Sequence, residues 1–172
     1  MKPSLNTGGL IWITGLSGAG KTTIAKKIIN FLNNQAILID GDEMRKVLDL
    51  SSSSYDIDSR KKIAFIYVKM CTMLANQGFL VICSTISMYD DARKYARENN
   101  QYYCEIFLNI SEKERRKRDP KKLYEYHNNQ IIHNMVGLDY TIELPKSPDI
   151  VIEDGLNIND SVDYILKYLE MV

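Results

Sequence analysis

A chain of 172 residues, 45 % of them hydrophobic, is long enough to bury one sheet-and-helix core and short for two. Lysine plus arginine balances aspartate plus glutamate at 22 each, which excludes a global basic field for nucleic acid and an acidic disordered tail, so charge-driven binding has to be local. Cys71, Cys83 and Cys104 show no C-x-x-C spacing and lie in apolar stretches, which argues for buried thiols in a reducing compartment rather than disulfides or a zinc site. Residues 1–6 lack the apolar centre of a signal peptide, and no run approaches the ~20 apolar residues of a membrane span. A cytoplasmic protein with no nucleic-acid or membrane partner is expected.

The apolar run Leu10–Thr14 is the first predicted strand, at the centre of the sheet. It is followed by Gly15-Leu16-Ser17-Gly18-Ala19-Gly20-Lys21-Thr22, the G-x-x-x-x-G-K-[ST] pattern of a phosphate-binding loop, and then by a helix from Thr22 to about Leu32. The glycines let successive N–H groups converge on a phosphate, and the helix N-terminus adds its own donors. Lys21 would reach the β- and γ-phosphates and Thr22 would hold magnesium, with Gly15, Ser17, Gly18, Ala19, Gly20 and Thr23 completing the ATP site.

Ala36–Asp40 reads as the second strand, delivering Asp40-Gly41-Asp42 beside the loop, since ligands of open parallel sheets gather at the carboxyl ends of strands. A short helix from Asp42 to Leu48 carries Arg45, and a serine-rich loop covers Leu50–Ser54. A long helix is predicted from about Asp58 to Asn76, with Ile63, Ile66, Met70, Met73, Leu74 and Gln77 on its buried stripe. Phe79–Ser84 is the third strand, ending in Ser84, Thr85 and Ser87; a helix at Tyr89–Glu98 and a fourth strand at Tyr102–Asn109 follow.

Ser111-Glu112-Lys113-Glu114 is a capping box that opens a helix running into the densest basic cluster, Arg115 to Lys122. A solvated face and a nucleic-acid patch are possible readings of that cluster; the phosphate loop upstream favours a mobile lid that brings cations onto transferring phosphates. Leu123–Pro148 is weakly periodic and reads as lid and acceptor loop, so the lid region spans approximately 115–148. His127 and His133 lie within it without a visible partner and receive no catalytic role. Asp149–Glu153 is a fifth strand and Asn159–Val172 a final helix. The alternation predicts an α/β fold of the phosphate-loop NTPase type: a single domain, residues 1–172, in three layers, with a five-stranded parallel sheet between helices.

The chain lacks the D-x-x-G and N-K-x-D elements of a GTP switch, and its size suits a small-molecule kinase. Such an enzyme needs a metal-held donor, a carboxylate near the acceptor hydroxyl and cations around the moving phosphoryl group. Asp42 is the candidate carboxylate, accepting the hydroxyl proton or holding magnesium through water; Arg45, Arg60, Arg118 and Lys121 are the candidate cations. Asp40 could instead simply cap the strand end.

These blocks, together with Ile86-Ser87-Met88-Tyr89, Arg118-Asp119-Pro120-Lys121-Lys122-Leu123-Tyr124 and Gly137-Leu138-Asp139 before Pro145, resemble the adenylyl-sulfate (APS) kinase family in the same order over most of the chain. The resemblance implies transfer of the ATP γ-phosphoryl group to the ribose 3′-hydroxyl of a small nucleotide acceptor, with magnesium, in a homodimer. It assigns catalysis to Asp42, Lys21 and Arg45, nucleotide contacts to Arg118 and Lys121, and metal to Thr22 and Asp42. The acceptor side falls to Asp40, Asp42, Arg45, Tyr55, Arg60, Ile63, Ser87, Lys121, Leu123, Met135 and Val136. The departures gather on that acceptor side. Met135-Val136 stands where the family has F-T, Tyr55 replaces a phenylalanine, Ile63 an asparagine, Met88 a proline and Asp90 an arginine, while Ile39 and Lys122 replace a leucine and a glycine of the family blocks. Losing a stacking aromatic, worth ~1–3 kcal/mol per base, points to an altered acceptor. Within the resemblance that acceptor is cytidine diphosphoramidate, of bacterial capsule modification; adenylyl sulfate and a catalytically inactive nucleotide-binding regulator are the alternatives.

Overall fold

A computed structural model describes residues 4, 6–49, 57–131, 133, 135–140 and 142–171. Five parallel strands, β1 (Gly9–Gly15), β2 (Ile37–Asp40), β3 (Leu80–Thr85), β4 (Tyr103–Asn109) and β5 (Ile150–Glu153), form one sheet in the order β2-β3-β1-β4-β5. β1 occupies the centre, as its uninterrupted apolar run requires, because both of its faces are covered.

Alternation along β1 divides the core into two layers. Ile11 and Ile13 face one side, packing with Ile24, Ile28, Ile165 and Leu166 from helices α1 (Lys21–Phe31) and α7 (Ile158–Tyr168). Leu10 and Trp12 face the other, against α3 (Ile57–Asn76) and α4 (Asp90–Asn99). The remaining helices, α2 (Gly41–Val47), α5 (Glu112–Arg118) and α6 (Leu123–Asn128), all lie near the carboxyl edge of the sheet in sequence, following β2 and β4. All three cysteines are buried thiols, and among the described residues no helix is long and apolar enough to cross a membrane.

The buried face of α3 differs from the expected stripe. Ile63 and Leu74 pack inward, but Ile66 and Met73 are 47 % and 54 % exposed and Gln77 is exposed, while Ala64, Tyr67, Val68, Cys71, Thr72 and Ala75 are buried. The helix is apolar on two sides, and the sheet takes the side whose small residues, Ala64, Cys71 and Ala75, allow close approach. Leu123–Pro148, expected from its weak periodicity to be lid and acceptor loop, opens with the short helix α6. Its start is capped from a distance: the Asp119 carboxylate accepts from the N–H groups of Leu123, Tyr124 and Glu125 at 2.8, 3.0 and 3.2 Å. The serine-rich loop predicted over Leu50–Ser54, and Tyr55, lie outside the described residues.

Candidate active site

Gly15–Thr22 turns directly from β1 into α1, which begins at Lys21. Gly18 has φ +79°, and a Cβ there would meet the Arg115 carbonyl oxygen at 2.9 Å, so the residue is confined to glycine by both conformation and space. Lys21 folds back and donates from Nζ to the Leu16 carbonyl at 3.0 Å. Burial pushes its pKa down to about 8; Asp42 and Asp40 oppose that shift, and Lys121 and Arg115 add to it. Thr23 is exposed on the first turn of α1.

Asp40 ends β2 and does two things at once. One carboxylate oxygen accepts from the N–H groups of Asp42 and Glu43 at 3.0 and 3.4 Å, capping α2; the other accepts from the hydroxyls of Thr22 and Ser84 at 2.7 and 2.5 Å. Burial raises its pKa, but the bonds from Ser84, Thr22 and the two backbone amides outweigh that, and the carboxyl is held below its ordinary value. An ionised carboxylate therefore touches the hydroxyl that phosphate-loop enzymes use for the metal. Asp42, the carboxylate expected there, instead forms an ion pair with Lys121, both side chains being 55 % exposed. Asp40 is thus both the strand-end cap and the direct partner of Thr22.

The basic stretch is rooted on the phosphate loop. Arg118 donates from Nη1 to the Ala19 carbonyl at 3.4 Å, and the Tyr124 hydroxyl donates to the Ser17 carbonyl at 3.1 Å. The buried Arg115 donates to the Tyr124 hydroxyl and, from Nε, to the Ile110 carbonyl at 3.0 Å. Leu123 is half-buried at the start of α6.

The segment expected to be the acceptor loop also lies against the phosphate loop. Gly137 has φ +84°, and a Cβ there would stand 2.6 Å from Leu16 Cδ1. Met135 is buried, and its N–H donates to Asp139 at 2.6 Å; Val136 bridges to Tyr140. His127 Nε2 contacts both Asp139 oxygens, at 2.9 and 3.1 Å, tying α6 to this loop, and that hydrogen bond helps hold the Asp139 carboxyl low. The pair spans twelve residues, beyond any local pattern that could have signalled it. Further along, Glu143 accepts from the Asp90 N–H at 2.5 Å, and buried Arg93 binds both Asp90 and the Glu143 carbonyl. Asp90, the departure from the family's arginine, is paired with Arg93 and Lys146.

Of the other expected acceptor residues, Arg45 lies on α2 within electrostatic reach of Tyr67, whose own hydroxyl donates to the Gly41 carbonyl at 3.3 Å. Arg60 stands half-buried in the first turns of α3. Ser87 is buried and hydrogen-bonded to Thr85 at 3.0 Å. Ile63 belongs to the core cluster with Met44 and Tyr67 rather than to an open wall.

A phosphate cradle, a carboxylate pair and a cationic stretch around one sheet edge suit phosphoryl transfer. The sequence pattern of the family described as adenylylsulphate kinase matches residues 7–153. The chain belongs to this family. Among its relatives, the cytidine diphosphoramidate kinase of Campylobacter jejuni is 35 % identical over 167 residues, covering 94 % of this chain and 96 % of the relative. The adenylyl-sulfate kinase of Pseudomonas aeruginosa is also 35 % identical over 167 residues, covering 94 % and 85 %. The structure of the APS kinase CysC of Mycobacterium tuberculosis, in complex with AMPPNP and APS, superposes with a TM-score of 0.85 at 28 % identity, covering 95 % of this chain and 98 % of that one. Family membership makes the chain a nucleotide-binding phosphotransferase that acts on a hydroxyl group. The equal identities leave the acceptor to be argued from the site.

Proposed function

We propose that the chain transfers the γ-phosphoryl group of ATP to the ribose 3′-hydroxyl of cytidine diphosphoramidate, a step of capsule modification. The observation that carries the phosphoryl-transfer reading is the gathering of Lys21, Asp42, Lys121 and Asp40 within electrostatic reach of one another at the mouth of the phosphate loop. Gly15–Thr23 and Arg118 hold the donor. Asp42 takes the proton of the acceptor hydroxyl, so its pairing with Lys121 opens as the acceptor arrives and leaves the lysine for the moving phosphoryl group. Arg45 and Arg60 supply cations for the acceptor's phosphates.

Hard oxygen donors suit magnesium, and the Thr22 hydroxyl bound to the ionised Asp40 carboxylate is such a set. Thr22 and Asp40 would hold the ion, which would neutralise charge on the β- and γ-phosphates. Asp42, the other candidate, is read here as the base.

The acceptor assignment is supported by the loop anchored on Leu16. Its buried thioether, Met135, offers no aromatic plate, and a cytosine loses less than an adenine when none faces it. Adenylyl sulfate remains the second reading because the Pseudomonas aeruginosa relative is as similar as the Campylobacter jejuni one. The enzyme is taken to be one cytoplasmic domain working as a homodimer, and sedimentation of the purified protein tests the dimer. Phosphorus NMR of the product tests the chemistry: a new phosphomonoester coupled to the ribose H3′ is expected, and coupling to another position, or no product from either acceptor, would refute the proposal.

A further inference from the structure

We propose that Arg115 and Tyr124 are positioning residues of the donor site, holding the Ser17–Gly18 peptide so that the Gly18 N–H faces the bound phosphates. The inference rests on the reading of Gly15–Thr22 as a nucleotide-phosphate cradle and adds two residues that touch no phosphate themselves.

A trans peptide carries its C=O and N–H on opposite sides, so whatever grips the Ser17 oxygen from outside the loop turns the Gly18 N–H inward. Tyr124 provides that grip. Its single hydroxyl proton is committed to the Ser17 oxygen at 3.1 Å, and the hydroxyl oxygen accepts from Arg115 Nη1, which fixes the rotor. The guanidinium is fixed in turn by its Nε bond to the Ile110 carbonyl at 3.0 Å, and Arg116 covers the Tyr124 ring at 4.9 Å from the centroid. Arg115 is 6 % and Tyr124 2 % exposed, so this relay is shielded from water, and burial raises the phenol's pKa and keeps it a donor. The Arg115 carbonyl also lies against Gly18, where an added Cβ would approach to 2.9 Å. A flipped 17–18 peptide would present a carbonyl oxygen to an anion and leave Tyr124 without an acceptor.

The test is ADP binding by calorimetry with magnesium, steady-state kinetics in ATP, and thermal unfolding without nucleotide, on wild type, Tyr124→Phe, Arg115→Lys and the double variant. Tyr124→Phe is expected to weaken ADP binding and raise KM for ATP roughly tenfold, with kcat at saturating ATP within about twofold, while the two lost buried hydrogen bonds lower the unliganded midpoint by a few degrees. The double variant should bind no more weakly than the worse single one, because both act through one peptide. Unchanged ADP affinity in Tyr124→Phe, or losses of ADP affinity that add in the double variant, would overturn the relay. Absence of ADP binding by the wild type would instead overturn the cradle reading on which the relay stands.

Discussion

Lys21 should take up a proton when nucleotide binds in mildly alkaline solution. Burial desolvates its amine and lowers its pKa to about 8, and Nζ donates to the neutral Leu16 carbonyl. At pH 8.5 the free protein would hold the proton on only about a quarter of its Lys21 side chains. Phosphate charges beside the amine favour the ammonium by roughly 1–3 units, enough to fill the site. Binding of magnesium ADP at pH 8.5 should therefore absorb about 0.7 proton, and at pH 6.5, where the site is already charged, almost none. The same linkage makes ADP affinity fall with rising pH above 8, approaching tenfold per unit until the bound-state pKa is reached. Calorimetry in buffers of different ionisation enthalpy reads the uptake directly, and Lys21→Arg, whose guanidinium never loses its proton, should show none. Zero uptake by the wild type at pH 8.5, or equal uptake by Lys21→Arg, would refute the reasoning.

Asp42→Asn should leave ADP affinity near the wild-type value while lowering kcat by ~10² or more; a large loss of ADP affinity would assign Asp42 to the metal instead. Gly137→Ala places a side chain on a left-handed backbone, costing about 1–2 kcal/mol, with its Cβ 2.6 Å from the end of a Leu16 side chain that can turn aside, so urea unfolding should show a loss of roughly 1–2 kcal/mol and the acceptor KM should rise; an unchanged midpoint would contradict the left-handed turn. Lys122 holds φ +53° at the position where the family carries glycine. Lys122→Gly should stabilise by about 1 kcal/mol, seen as a thermal midpoint about 2–4 °C higher, and a lower midpoint would remove strain as the explanation.

The strand, loop and first helix were legible because the motif and the hydrophobic run each demand the same local geometry. The helix boundaries of α3 were legible too, but its orientation was not: an apolar surface on two sides contains two helical stripes, and only the sheet, by preferring Ala64, Cys71 and Ala75, selects between them. Asp40 could be placed at the mouth of the site from its position after β2, whereas its contact with Thr22 depends on how β2 and α1 lie across β3. The basic stretch from Arg115 reads as a mobile lid from its charge alone, whereas the bonds from Arg115 to Tyr124 and from Tyr124 to Ser17 depend on how the chain folds back after Pro120. Asp119 capping α6 across a proline, and His127 meeting Asp139, are set by chain reversals that no periodicity encodes.

A competition reaction tests the central claim most directly. With ATP, magnesium and equal concentrations of cytidine diphosphoramidate and adenylyl sulfate in one vessel, the ratio of the two phosphorylated products equals the ratio of their kcat/KM values. Because one lost stacking contact is worth ~1–3 kcal/mol, the cytidine product should exceed the adenosine product by about tenfold or more. Equal amounts, or an excess of 3′-phosphoadenylyl sulfate, would contradict the account.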